Sequence, residues 1–227
     1  MNCDEKLSKM LLVNKPIDWT SFDVVKKIRG MLKEKYNIKK IKVGHAGTLD
    51  PKASGLLIVC TGQKTKTIKL FEGLNKTYVG VMKLGFVTDS FDSETNEREP
   101  KSFQHISLDQ IKSVFSQFLG LQKQKPPMFS AVKINGERLY KKARRGELDL
   151  ELASRNIYIK ELTAIELKLP FLQFEVNCSK GTYIRSLVSD IGKSLGCGAY
   201  LYSLNRTKIG AYNLKKAINI EDIYQSL

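Results

Sequence analysis

Two long stretches of alternating apolar residues, Asn156 to Leu169 and Phe171 to Cys178, follow one another with no helical pattern between them. They restrict the fold more than anything else in the chain. Ile157 and Ile159 in the first, and Leu172, Phe174 and Val176 in the second, recur at the two-residue period that places side chains on one face of a strand. Helices are signalled elsewhere, but they do not alternate with strands in a regular way. Phe22, Val25, Ile28 and Leu32 predict an amphipathic helix over about residues 21 to 35, behind the polar caps of Asp18-Trp19-Thr20-Ser21. Ser107-Leu108-Asp109-Gln110 is a capping-box signature, followed by a face of Leu108, Ile111, Phe115, Phe118 and Leu119 that Gly120 stops. Ile184, Leu187, Val188, Ile191 and Leu195 make a third helix, ending at Gly196. Long strands mixed with irregularly placed helices predict an α+β fold around a largely antiparallel mixed sheet flanked by helices.

The remaining segments fit that class. Met10 to Val13 reads as a first strand ending at Lys15-Pro16, and Ile41 to Val43 and Leu56 to Thr61 as two more. Gln63 to Leu74 reads as helical, and Lys76 to Phe86 as a strand with Tyr78, Gly80, Met82, Leu84 and Phe86 on one face. Asp89, Asp92, Glu94, Glu97 and Glu99 form a polar acidic loop, and Ala199 to Ile209 with a short helix near Ile220 to Ser226 completes the chain. With 227 residues and no low-complexity linker, one domain spanning residues 1–227 is expected.

Lys and Arg outnumber Asp and Glu by 38 to 23, a formal charge of +15, so a polyanion is the expected partner and nucleic acid the leading class. The charge is concentrated in Leu121 to Gly146, which holds eight bases against the single acid Glu137. Pro126-Pro127-Met128-Phe129 and Tyr140 lie among those bases, a mixture suited to an arm that grips RNA through phosphates and stacking groups. Cys3, Cys60, Cys178 and Cys197 are scattered and read as reduced thiols without zinc-ligand spacing. No membrane span is expected, since the only apolar run near the N-terminus is Met10 to Val13, and a cytoplasmic protein follows. His45 and His105 have no acidic neighbours at ligand spacing, so no metal is expected. Gly62-Gln63-Lys64-Thr65 lacks the Walker A spacing, and no G-x-S-x-G elbow is present.

One carboxylate stands out. Val43 to Gly55 links two strands and contains His45, three glycines and Asp50-Pro51. The proline biases Asp50 toward an extended backbone, so its carboxylate projects. An ordinary Asp is ionised at neutral pH and serves as nucleophile or base, and a nearby Arg would fix its direction. Arg185, in Cys178-Ser179-Lys180-Gly181-Thr182-Tyr183-Ile184-Arg185, is the expected cation. Tyr183 and Arg185 are two apart and would share a face of any extended portion.

Gly44-His45-Ala46-Gly47-Thr48-Leu49-Asp50-Pro51 with Ala53-Ser54-Gly55 resembles the catalytic signature of the TruB family of pseudouridine synthases, which act on uridine 55 in the T arm of transfer RNA. The similarity continues through Asn14-Lys15-Pro16 with Thr20-Ser21, Lys76-Thr77-Tyr78, Ser130-Ala131-Val132-Lys133 with Gly136 and Arg138, Cys178 to Arg185, and Leu204-Asn205-Arg206-Thr207. The resemblance implies the pseudouridine synthase fold and Asp50 as catalytic nucleophile. It also implies Tyr78 stacked on the target uracil with a part in proton transfer, and Arg185 paired with Asp50. Tyr183 and Leu204 would line the base pocket, and His45 would support the flipped-out T loop. The segment from about 121 to 152 would be a flexible thumb, with Lys133, Arg138, Lys141, Lys142, Arg144 and Arg145 on the RNA. Neither cofactor nor metal is implied, and a monomer is expected. Many bacterial relatives carry a C-terminal PUA-type module, whereas this chain ends soon after Gly210-Ala211-Tyr212, so reduced contacts to the acceptor side are expected. A non-catalytic RNA-binding or RNA-chaperone protein of the same fold is the alternative; a subunit of a guide-RNA-directed particle fits less well with so short a chain.

Overall fold

The computed structural model describes residues 7–147 and 150–227. Strands β1 (Met10–Lys15), β2 (Val43–His45), β3 (Ala53–Thr61) and β4 (Lys76–Leu84) are interleaved with helices α1 (Ser21–Lys35) and α2 (Ile68–Glu72), the latter preceded by a 3-10 turn over Gly62–Thr67. Then come α3 (Leu108–Gln117), β5 (Gly120–Gln124), β6 (Lys133–Ile134), β7 (Glu137–Arg138) and α4 (Leu139–Arg144). The chain continues through β8 (Arg155–Lys168), β9 (Phe171–Cys178), α5 (Ile184–Ser194), β10 (Ala199–Ile209), β11 (Tyr212–Asn213), β12 (Ile218–Asn219) and α6 (Ile223–Ser226). These elements fall into two units, Met1–Tyr78 with Leu204–Leu227, and Val79–Ser203.

In the first unit β3 is the central strand. It pairs antiparallel with β1 and β2, and the Leu204–Arg206 part of β10 runs parallel to it. β12 runs parallel to β1 on its other edge. Helix α1 covers one face, where Val24, Val25, Ile28 and Leu32 pack with Leu57 and Val59 of β3. Leu56, Ile58 and Cys60 point the other way, into a second cluster with Ala46 and Ile209. A strand buried on both faces needs an unbroken apolar run, which is why Leu56 to Cys60 shows no alternation. Helix α1 starts at a capping box: Asp23 N–H donates to Thr20 Oγ1 at 3.0 Å, and Thr20 N–H to Asp23 Oδ2 at 2.9 Å. Phe22, expected on the core face, is 60% exposed, and Val24 is buried in its place. The second strand also differs, at Val43–His45 rather than Ile41 to Val43, because its register is set by pairing with β3, where His45 opposes Val59.

In the second unit β8 and β9 form the expected antiparallel pair, with Leu162 opposite Val176 and Ala164 opposite Phe174. β5 adds antiparallel to the other edge of β8, while β4 lies between β9 and β10. The residues from Leu121 to Gln124, read from sequence as the start of the thumb, are therefore sheet. Helix α3 packs against β8 and α5. It buries Ile111, Val114 and Phe115, whereas Leu108 and Leu119 of the expected face stay exposed at 39% and 44%. Cys60, Cys178 and Cys197 are buried free thiols; Cys3 lies outside the described residues. No helix among the described residues is long and apolar enough to cross a membrane.

Candidate active site

The aspartate loop of the first unit is reduced by its flanking strands to Ala46–Lys52, and most of its backbone is held. Ala46 N–H donates to Ile58 O at 2.9 Å, and Ala53 N–H closes the turn onto Asp50 O at 3.0 Å. Ser21, the first residue of α1, reaches across: Leu49 N–H donates to its Oγ at 2.8 Å, and the hydroxyl donates back to Leu49 O at 3.2 Å. On the other side of the aspartate, Pro51 O accepts Asp18 N–H at 2.8 Å. Asp50, half-buried, thus has both chain neighbours pinned by the segment that opens α1. The main chain that carries its carboxylate is therefore held on both sides.

Arg206 fixes the loop from beneath. It is 1% exposed, with Nε donating to Leu56 O at 2.7 Å and Nη2 to Gly47 O at 3.0 Å. The close approach that allows this is made at Gly55, which opposes Arg206 with φ +105°. A Cβ there would sit 2.5 Å from Arg206 O. Leu204, two residues earlier, opposes Ala53.

A second cation belongs to the loop's surroundings. Lys15 is fully buried, its Nζ donating to Pro16 O at 2.8 Å and Trp19 O at 2.6 Å. Burial pulls its pKa down to about 8; Asp50 acts in the opposite sense, and Arg206 lowers it further. On β4, Lys76 donates to Glu72 O and Leu74 O at 2.7 Å and lies beside Gly47. Tyr78, two residues along the same strand and 8% exposed, projects to the same side. His45, half-buried at the end of β2, has its pKa held below the ordinary value by burial and by Arg206, so the imidazole is neutral at pH 7. Its buried Nδ1 has no hydrogen-bond partner among the described residues.

In the second unit Tyr183 and Arg185 do not share an extended face. Gly181, with φ +78°, turns the chain, Tyr183 is the N-cap of α5, and Arg185 already lies in its first helical turn. Gln124 clamps the cap with both ends of its amide: Tyr183 N–H donates to Oε1 at 2.8 Å, and Nε2 donates to Tyr183 O at 3.0 Å. Arg155 lies over the Tyr183 ring, 4.7 Å from its centroid. Arg185 is 5% exposed. Its Nη1 donates to Ser90 O at 3.1 Å, its Nη2 to Phe129 O at 3.0 Å, and its Nε stands 3.5 Å from Asp92 Oδ2.

Asp92, facing Arg185, is a buried carboxylate that the sequence does not single out. It was grouped with the acids of a polar loop, yet it is 4% exposed. Its Oδ1 accepts Ser90 Oγ at 2.6 Å and Glu94 N–H at 2.9 Å, leaving Oδ2 toward the guanidinium. The one sequence signal was the run of small hydroxyl residues around it, Thr88 and Ser90, which supply the local hydrogen bonds.

The thumb is a small hairpin followed by α4. Asn135 and Gly136, both at positive φ, make its two-residue turn, and Lys133 faces Arg138 across the strands. Two exposed like charges directly opposite repel each other until an anion intervenes. Lys141 is exposed beside them along the same groove. The other three predicted RNA contacts are compensated within the protein. Arg145 pairs with Glu137 at 2.6 Å and Glu147 at 2.9 Å, Lys142 reaches Glu147 at 3.2 Å, and Arg144 reaches Glu94 at 3.1 Å. Those pairs hold the Glu137 and Glu147 carboxyls below their usual pKa, through hydrogen bonds from Arg145 first.

Residues 33–184 match the model of the TruB family pseudouridylate synthase N-terminal domain, and residues 185–227 that of the tRNA pseudouridylate synthase B C-terminal domain. The tRNA pseudouridine synthase B of Parabacteroides distasonis is 48% identical over 95% of this chain and 91% of its own. That of Flavobacterium johnsoniae is 46% identical over 96% of each. Among solved structures, a Cbf5-Nop10-Gar1 complex gives a TM-score of 0.72 at 29% identity, covering 96% of this chain. An H/ACA RNP bound to a substrate RNA containing 2′-deoxyuridine gives 0.70 at 26%, covering 98%. This chain spans about half, 54%, of each of those two solved chains, but nearly all of the two relatives above. With family models covering it from residue 33 to its last residue, the chain belongs to the TruB family of pseudouridylate synthases.

Proposed function

We propose that the chain converts uridine 55 in the T arm of tRNA to pseudouridine, with Asp50 as nucleophile. The observation that carries this reading is the clamping of Leu49 and Pro51 on either side of Asp50, which holds the backbone that presents a nucleophilic carboxylate. The tRNA-modifying relatives of nearly equal length support the substrate. In the reaction C1′–N1 breaks and C1′–C5 forms, while C5 loses a proton and N1 gains one. The product is an isomer, so neither oxidant nor co-reactant is consumed. Arg185 pairs with the carboxylate and fixes its direction. Tyr78 stacks on the extruded uracil and helps move the C5 proton, and Tyr183 and Leu204 complete the pocket. His45, neutral at pH 7, meets the flipped-out loop. Extruding a base costs a few kcal/mol, and one aromatic contact returns ~1 to 3 kcal/mol, so the thumb cations Lys133, Arg138 and Lys141 supply part of the rest. The enzyme works as a monomer in the cytoplasm, where its buried thiols stay reduced. Pseudouridine mapping on tRNA from cells lacking the gene, rescued with wild type or Asp50→Asn, tests the reading. Modification at uridine 55 should return with wild type alone, and its return with Asp50→Asn would refute the assignment.

A further inference from the structure

The thumb is not where the free positive charge of this chain is densest. Between Lys26 and Lys42 there are eight bases against the single acid Glu34, a net of +7 in 17 residues. Arg29, Lys33, Lys40 and Lys42 from that stretch, with Lys66 from the 3-10 turn after β3, line one open cleft of about 470 Å³ in the first unit. Helix α1 supplies Arg29 and Lys33 one turn apart, and the strand entry supplies Lys40 and Lys42. The walls are joined by the backbone, Gly62 N–H donating to Lys42 O at 2.8 Å. Arg29 is anchored by donating to Val43 O at 3.1 Å, while the four lysines are exposed.

Two features separate this cleft from an ordinary solvated face. None of its five cations forms an ion pair among the described residues, whereas three of the thumb's six are paired with glutamates. Five like charges on one concave surface repel one another, and a polyanion relieves that while releasing its counterions. In addition, neither an aromatic nor an acidic side chain lines the cleft, whose uncharged polar side chains are Gln63 and Thr65. Five cations without a carboxylate favour phosphate contacts, the class that positions RNA without reading sequence.

The cleft is also remote from the chemistry. Thr61 pairs with Val43 at one end of β3 and Ala53 follows Asp50 at the other, eight residue steps or ~26 Å away. We propose that this cleft is a second phosphate-binding site, which holds the tRNA backbone well away from the nucleotide being modified. The proposal rests on the tRNA reading above for its ligand, and on charge and lining for the site itself.

The test replaces Lys33, Lys40, Lys42 and Lys66 together by Gln in the full chain. Unmodified tRNA binding is measured from 50 to 200 mM salt, and single-turnover tritium release at saturating tRNA. Affinity should fall by ~10-fold or more at ~0.15 M salt, and the slope of log K against log salt should flatten by roughly 2 to 4, about one per lost contact. The saturating rate should not change. A control chain with Lys112, Lys160, Lys168 and Lys193 changed to Gln loses the same charge elsewhere and should keep most of its affinity. An unchanged slope in the cleft variant, an equal loss in the control, or a lower saturating rate with affinity intact would each overturn the proposal. If wild type forms no pseudouridine while the slope still depends on the cleft, the functional reading fails and the phosphate site stands.

Discussion

Asp92 offers the sharpest test of how the second unit sets its arginine. Asp92→Asn keeps the shape of the side chain and an acceptor for Ser90 Oγ and Glu94 N–H, and replaces the charged oxygen facing Arg185 by a neutral amide nitrogen. Nε and Oδ2 are 3.5 Å apart, which at an effective dielectric of 20 corresponds to about 5 kcal/mol of attraction, before subtracting the solvation regained when the carboxylate is lost. Both side chains are nearly inaccessible, at 5% and 6%, so solvent screening is slight. Removing one member of a buried pair costs about 3 to 5 kcal/mol. The long Nε–Oδ2 distance and the guanidinium's remaining bonds to Ser90 O and Phe129 O place this case at about 3 kcal/mol. Urea unfolding at pH 7 should therefore lose about 3 kcal/mol, with the m-value unchanged. Single-turnover tritium release from tRNA labelled at uridine C5 should slow by ~10-fold or more, with tRNA affinity held within about twofold, because Asp92 positions an arginine rather than touching RNA. Unfolding within about 0.5 kcal/mol of wild type together with an unchanged rate would refute the reasoning.

The remaining predictions concern the thumb and the loop. Changing Lys133, Arg138 and Lys141 to Gln should flatten the salt dependence of tRNA binding by roughly 2 to 3, whereas Arg145→Gln should change it by less than one unit. Equal effects would mean that the internal ion pairs open when RNA arrives. Lys15 has a folded pKa of about 8 against an ordinary 10.5, so between those values the unfolded chain holds the additional proton. Wild-type stability should then rise with pH across that window relative to Lys15→Met, by up to about 1.4 kcal/mol per pH unit. Parallel stability curves from pH 7 to 10.5 would contradict the burial of a charged Lys15.

Much of this was legible because local chemistry and fold agree. The bounds of α1 follow from a capping box and a helical period, and β9 ends where its apolar alternation ends. The aspartate loop could be read because Gly, Asp and Pro constrain the backbone wherever they occur. What escaped depends on partners distant in sequence. Nothing local distinguishes Asp92 from Asp89 or Glu94; only an arginine 93 residues later makes one of them a buried counter-ion. Counting charges overstated the free cations of the thumb, since Glu147 and Glu94 lie outside the stretch that was counted. The cations from Lys26 to Lys42 are masked in the sequence by the helical period of the apolar residues among them.

Tritium release from C5-labelled tRNA by wild type and Asp50→Asn, each at a concentration that saturates binding, tests the central claim most directly. Release by wild type, none above background by the variant, and equal tRNA affinity for both are the results that a rigidly held nucleophile predicts. Turnover by Asp50→Asn at a rate near that of wild type would contradict it.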